Sequence, residues 1–234
     1  MTRLKEFLFK YKHAIIILYM PIYLFWFTSL EKRTNVHFTD IHCKIDDYIP
    51  FCEFFIIPYL LWFLYVAVSL VYLFFQTQHL DDFYRCCAVL LLGMTTSLLI
   101  YTIFPNQQTM RPKTFDHSNI FTTIIDILYR TDTDTNVFPS IHVFNSIAIH
   151  FGISRSYYFS NVDDVNIVKN DKKRKAIKII RLSSLILCIL ICISTLTLKQ
   201  HSFLDLVGGC VLFAFYYTIV YIRPLQEVPF FLML

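Results

Sequence analysis

Six long apolar stretches run through this chain, and nothing else in it constrains the fold as strongly. They are His13–Leu30, Phe54–Phe75, Cys86–Phe104, Ser140–Ile153, Leu182–Leu198 and Phe203–Ile222. A helix needs about 20 residues to cross the hydrocarbon core of a bilayer. The second, third and sixth stretches meet that length, while the fourth is short and bounded by Ser154 and Arg155. Hydrophobic residues make up 56% of the chain and charged residues only 16%, against about 25% charged in an average soluble domain. A soluble protein this apolar could not cover its surface, and a bilayer removes that requirement. The expected fold class is therefore all-α, a polytopic membrane helix bundle of about six transmembrane helices. Residues 1–234 read as a single integral membrane domain.

The first stretch follows Arg3, Lys5, Lys10 and Lys12, as a signal peptide would. It is bulky throughout and lacks a small-residue cleavage site, so it reads as a retained span. With the N-terminus inside, fourteen Lys and Arg residues fall on the inner side and seven on the outer. That bias places both termini in the cytoplasm. The densest basic run, Lys172-Lys173-Arg174-Lys175, reads as a cytoplasmic loop held near anionic headgroups rather than as a nucleic-acid site. The chain has seven cysteines without zinc-site spacing; Cys43 and Cys52 share one loop and could pair. In the long outer stretch Pro105–Phe138, apolar residues between Ile120 and Tyr129 suggest a short amphipathic helix at the membrane surface, with Ser118 as its N-cap.

Three separated patches fall on that outer side, and topology alone brings them to one interface. They are Met110-Arg111-Pro112 after span three, Phe138-Pro139-Ser140-Ile141-His142 opening span four, and the run Lys199 to Asp205 opening span six. His201 and Asp205 are four residues apart and share one helical face. A carboxylate on one ring nitrogen fixes the tautomer and leaves the other free as base or nucleophile. Ser140 and the unpaired amides beginning span four, including that of Ile141, form an anion site favoured by the helix dipole. Arg111 can grip two phosphate oxygens, Lys199 can add a second positive charge, and His142 can serve as a general acid. His13 and His150 have no partner at useful spacing and read as polar anchors. These residues point to phosphate chemistry. A bis-histidine carrier using His142 and His201 without enzymatic activity is the alternative of another class.

The set Arg-Pro, Pro-Ser-x-His and His-x-x-x-Asp resembles the type-2 phosphatidic acid phosphatase superfamily. Its motifs lie within residues 104–209 here. Motif two matches as Pro139-Ser140-Ile141-His142, and motif three as Ser194, His201 and Asp205. The run Ser194 to His201 is similar to the inositolphosphotransferase-like branch. Two family cations are absent: Phe104 stands seven residues before Arg111, and Thr195 follows Ser194. Lys199 could replace one of them, with Lys113 a weaker candidate. The resemblance implies hydrolysis of lipid phosphates or diphosphates through a phosphohistidine on His201, with Asp205 orienting it and His142 protonating the leaving group. Arg111, Ser140, Ile141 and Lys199 would bind the phosphate. It implies no cofactor and no metal, membrane lipids as the surroundings, and an active site at the outer face of a plasma or cytoplasmic membrane. Transfer of phosphate to an alcohol by the same residues is the nearer alternative.

Overall fold

The computed structural model describes residues 11–222. Arg3, Lys5, Lys10 and Arg223, four of the basic residues used for orientation, lie outside them. The described chain is mostly helical, with only two short strands. A 3₁₀ segment Lys12–Leu18 leads into α1 (Tyr19–Glu31), followed by α2 (Ile56–Phe75), α3 (Leu80–Ile103), α4 (Ile120–Thr131), α5 (Ile141–Arg155), α6 (Asp171–Thr197) and α7 (Phe203–Tyr217). A π-helical turn, Thr218–Ile222, extends α7. Five segments are long and apolar enough to cross a membrane: Lys12–Glu31, Glu53–Phe75, Leu80–Ile103, Asp171–Thr197 and Phe203–Ile222.

Helix α5 is the sixth member of the bundle and differs in kind. It has 15 residues, so it spans only about 22 Å against a hydrocarbon core of about 30 Å. Its sequence carries Asn145, Ser146, His150 and Ser154, all buried. It packs against α2, α3, α6 and α7. Enclosed by protein rather than lipid, it has no need of the continuous apolar surface that the outer helices present. Leu61, Phe63 and Leu64 on α2 and Ile179, Ile186 and Ile189 on α6 are exposed on the bundle's outside.

Two helices begin earlier than their apolar stretches. Helix α6 starts at Asp171, so the Lys172–Lys175 run is helical and not a loop. The Asn170 side chain accepts from the amides of Lys172 and Lys173, and Lys, Arg and Ala propagate a helix well. Helix α3 starts at Leu80, ahead of Cys86. The amphipathic helix exists as α4, capped not by Ser118 but by Asn119. Asn119 exchanges hydrogen bonds with Thr122 in a capping box. The buried side of α4, at Ile125, packs with Ile56, Tyr59 and Leu198.

At one end of the bundle the connections interlock. Thr39–Asp40 (β1) pairs in parallel with Asn106–Gln107 (β2), and Gln107 bridges to Thr135. The buried Asn106 carboxamide accepts from the amides of Val137 and Phe138, both at 2.8 Å. Glu31 accepts from Thr133 and, at 2.5 Å, from Asn136. Arg33 donates to the Tyr101 carbonyl at 2.7 Å. Segments far apart in sequence are thus fixed to one another around the N-terminus of α5. All seven cysteines are free, including Cys43 and Cys52.

Candidate active site

Two helix starts carry the reactive groups, and each is built for the task. Ser140 caps α5, accepting from the Val143 amide at 3.4 Å, so the amides of Ile141 and His142 open the helix ahead of its ladder. Ser202 caps α7, and the Asp205 carboxylate accepts in return from the Ser202 amide at 2.8 Å. The two starts are brought close by Gly208 and Gly209. A Cβ on Gly209 would stand 2.9 Å from the Ser140 carbonyl oxygen, and one on Gly208 would stand 2.7 Å from the Phe138 ring. The Ser140 amide also donates to the Asp205 carbonyl at 3.0 Å, stitching the two helices together.

The chain reverses between α6 and α7 through Lys199, which adopts a left-handed φ of 52°. Glycine usually fills this place after a helix because a Cβ is disfavoured there. The amides of Gln200 and His201 both return to the Thr195 carbonyl at 3.0 Å, which fixes the reversal. The Lys199 ammonium lies on the carbonyls of Asp46 (2.8 Å) and Ile49 (2.6 Å). Burial pulls its pKa below the ordinary lysine value, against the charges of Asp46 and Asp47. Its side chain therefore fastens the 41–49 loop, and it does not line the cavity that receives the histidines. The missing family cation is not supplied in this arrangement by Lys199.

His201 Nδ1 donates to Asp205 Oδ2 at 3.3 Å, leaving Nε2 free. The rings of His142 and His201 are 5.7 Å apart, centre to centre, and both line one cavity. The His142 ring rests between Tyr59 (4.8 Å) and Trp62 (4.5 Å) of α2. Behind His201, Arg111 donates to Gln200 Oε1, to the Thr133 carbonyl at 2.7 Å and to the Tyr129 carbonyl at 3.2 Å. Its guanidinium also lies over the Tyr129 ring at 4.6 Å. Arg111 Nε and Gln200 Nε2 are buried donors without a partner among the described residues. Buried donors of this kind are costly unless an acceptor reaches them. Arg111, His142, His201, Asp205 and the start of α5 are thus gathered at one place. Ile141 lines the same cavity, whereas Ser140 sits fully buried behind it as the cap.

The cavity measures about 890 Å³. Its polar end holds His142, His201 and Gln200. From there it runs between α1 and α2, past Leu70, to Phe74 and Phe75 at the far end of α2. Over nearly its whole length the lining is apolar.

Several residues of this region escaped the sequence reading. Asp46 accepts from the Ser202 hydroxyl (2.6 Å) and from the amides of Phe203 (2.7 Å) and Cys43 (2.8 Å). Burial raises its pKa, but these bonds outweigh it and hold the carboxyl below its usual range. Gln200, Asn106, Tyr59 and Asp132 were also missed. Gln200 lies within the motif run beside His201, but no spacing in the sequence links the others to the motifs, and their only signal is that they are polar or aromatic at the ends of apolar stretches.

The sequence pattern of the PAP2 superfamily matches residues 86–227, well over half of the chain. The chain belongs to the PAP2 superfamily. No curated protein and no solved structure matches it. PAP2 proteins are in general phosphatases, and with five helices fit to cross a membrane this member has the character of a membrane phosphatase. The matched region covers α4, α5, α6 and α7, and α3 from Cys86 onward. It therefore contains Arg111, His142, His201 and Asp205. The half of the cavity formed by α1 and α2 lies outside the match.

Proposed function

We propose that this PAP2 member hydrolyses lipid phosphates or diphosphates through a phosphohistidine formed on His201. The observation that carries this reading is the joining of two features in one cavity. The His142 and His201 rings face one end, and an apolar groove between α1 and α2 leads away from them. A phosphate at the polar end would leave its lipid chain in the groove.

His201 Nε2 attacks phosphorus in line, with Nδ1 held on Asp205 so that the correct tautomer is presented. Gln200 Nε2 and the first amides of α5 bind the equatorial oxygens, where charge gathers in phosphoryl transfer, and Arg111, bonded behind Gln200, adds its charge. His142 gives its proton to the departing oxygen, and water then releases phosphate from His201. Ser140 acts by holding the α5 start rather than by contact. Lys199 holds the turn that carries His201.

The test is phosphate release from lipid phosphates by the full chain in detergent, with chelator present throughout. Wild type should release phosphate and accumulate an acid-labile phosphoenzyme that His201→Ala lacks. Activity lost to chelator and restored by magnesium would overturn the reading. Added alcohols separate hydrolysis from transfer: a phosphorylated alcohol forming in place of free phosphate would make the protein a phosphotransferase. The excess of Lys and Arg at the other end of the bundle supports cytoplasmic termini and an active site facing outward. With the native cysteines replaced, a cysteine at the exposed Tyr48 should react with an impermeant reagent in intact cells, and one at Asn170 should not.

A further inference from the structure

A carboxylate stands at the polar end of the cavity that neither the motifs nor the mechanism above uses. Asp132 follows directly on α4 and lines the cavity together with His142, His201 and Gln200. Its position is fixed from several sides. The Tyr59 hydroxyl donates to its Oδ2 at 2.8 Å, and its own amide donates to the Leu128 carbonyl at 2.8 Å. Arg111 holds the carbonyls of Tyr129 and Thr133, before and after it in the chain.

An acid held beside a site for phosphate repels the substrate, a cost that a cation facing the acid offsets. The candidates can be surveyed element by element. Arg111, from the segment after α3, is turned onto Gln200 and the two carbonyls. His201, before α7, is held by Asp205. From α3, Tyr101 donates to the Pro139 carbonyl at 2.7 Å. From α2, Tyr59 and Trp62 present ring faces to His142. The His142 ring alone among these makes no hydrogen bond among the described residues. Tyr59 joins the two, with its hydroxyl on Asp132 and its fully buried ring 4.8 Å from the His142 ring.

We propose that Asp132, held by Tyr59, is a positioning residue that acts through His142, orienting its ring and favouring its protonated form so that it can supply the leaving-group proton. The inference rests on the phosphatase reading. As the bond from His201 Nε2 to phosphorus forms, the bond from phosphorus to the alcohol oxygen breaks. The His142 proton passes to that oxygen, and neutral imidazole remains beside Asp132. A leaving group that departs readily without a proton needs none of this.

The experiment compares an alkyl phosphate with p-nitrophenyl phosphate, using wild type, Asp132→Asn and Asp132→Glu of the full chain in detergent. Loss of general-acid assistance is worth roughly 10²-fold or more for a poor leaving group. Asp132→Asn should therefore lower kcat on the alkyl ester by about that factor. On the aryl ester it should lower kcat by less than about 3-fold, and Asp132→Glu should restore most of the alkyl activity. Retained aryl turnover also shows that the variant is folded. Equal losses on both esters, or no loss on either, overturn the proposal. Wild-type release from the alkyl ester, measured in the same preparation, tests the phosphatase reading separately.

Discussion

The two ends of the bundle use the same kinds of residue in opposite ways. At the end with the motifs, charged and polar groups are buried and fixed across long sequence distances. Asp46 holds Ser202, Asn106 holds Val137 and Phe138, and Arg111 holds Gln200. At the other end, charges are mostly exposed and pair over shorter stretches of sequence. Arg174 bonds Asp171 three residues away, Lys178 meets Asp163 at 2.6 Å, and Lys173 lies over the Tyr158 ring at 5.2 Å. A solvated charge needs no partner, whereas a buried one must be paired and held. The contrast is sharpest along α5 itself. His142 lines the large cavity, while His150, two turns on, bonds Ser184 at 3.0 Å within the bundle. Position along one helix, not residue type, separates the histidine assigned to chemistry from the one that fills a gap.

The largest expected effect tests that pair directly. His142→Ala and His201→Ala should each lower turnover of an alkyl phosphate by about 10³-fold or more, while His150→Ala stays within about 3-fold. Initial rates on protein of matched size-exclusion profile decide it. Comparable losses at His150 would erase the distinction between the ends. Asp205→Asn comes next. An amide no longer enforces the tautomer of His201, and a loss of about 10²–10⁴-fold in kcat follows, with KM little changed. A wild-type rate would mean that His201 is oriented by something else.

A third comparison uses two glycines. Gly209→Ala places its Cβ against the Ser140 carbonyl, part of the backbone, at 2.9 Å, whereas Gly152→Ala meets the Cys86 thiol at 2.6 Å. A side chain can turn away and a helix start cannot. Gly209→Ala should therefore lose about 1–3 kcal/mol of stability, as overpacking does, and most activity with it. Gly152→Ala should keep its activity. Thermal melts alongside rates check both, and an active, stable Gly209→Ala would show the α5–α7 approach to be loose.

A smaller effect comes from pH. The Asp46 carboxyl is held below its ordinary value near 4, so its contribution to stability is present above about pH 4 and is lost as pH falls through the folded-state value. Wild type should lose melting temperature on acidification more steeply than Asp46→Asn, and parallel slopes would remove Asp46 as the fastening. The smallest effect belongs to the solvated end. Lys172→Ala with Lys175→Ala should leave detergent activity unchanged and stability within about 0.5 kcal/mol, as for exposed sites generally. A larger loss would show that end to be more tightly built than its exposure indicates.

The sequence by itself determined that the chain is a membrane helix bundle, because six apolar stretches cannot be hidden in 234 residues any other way. It also singled out His142, His201 and Asp205 as candidates from short spacings at helix starts, and Arg111 from its Arg-Pro pair, and the structure brings the four near one another. It gave the bounds of α5 closely despite its length. It misjudged the Lys172–Lys175 run, since hydropathy marks where lipid ends and not where a helix does. Only the tertiary structure decided the rest. Lys199 could be read as a phosphate ligand from its place beside His201. Its direction is set by the carbonyls of Asp46 and Ile49, some 150 residues away in sequence. Asp46, Tyr59 and Asp132 reach the site through contacts between separate loops and helices, which leave no period or motif behind. The groove between α1 and α2 is likewise a property of how helices stand against one another. Apolar residues facing a groove and apolar residues facing lipid satisfy the same requirement, exclusion from water, and only their packing tells them apart.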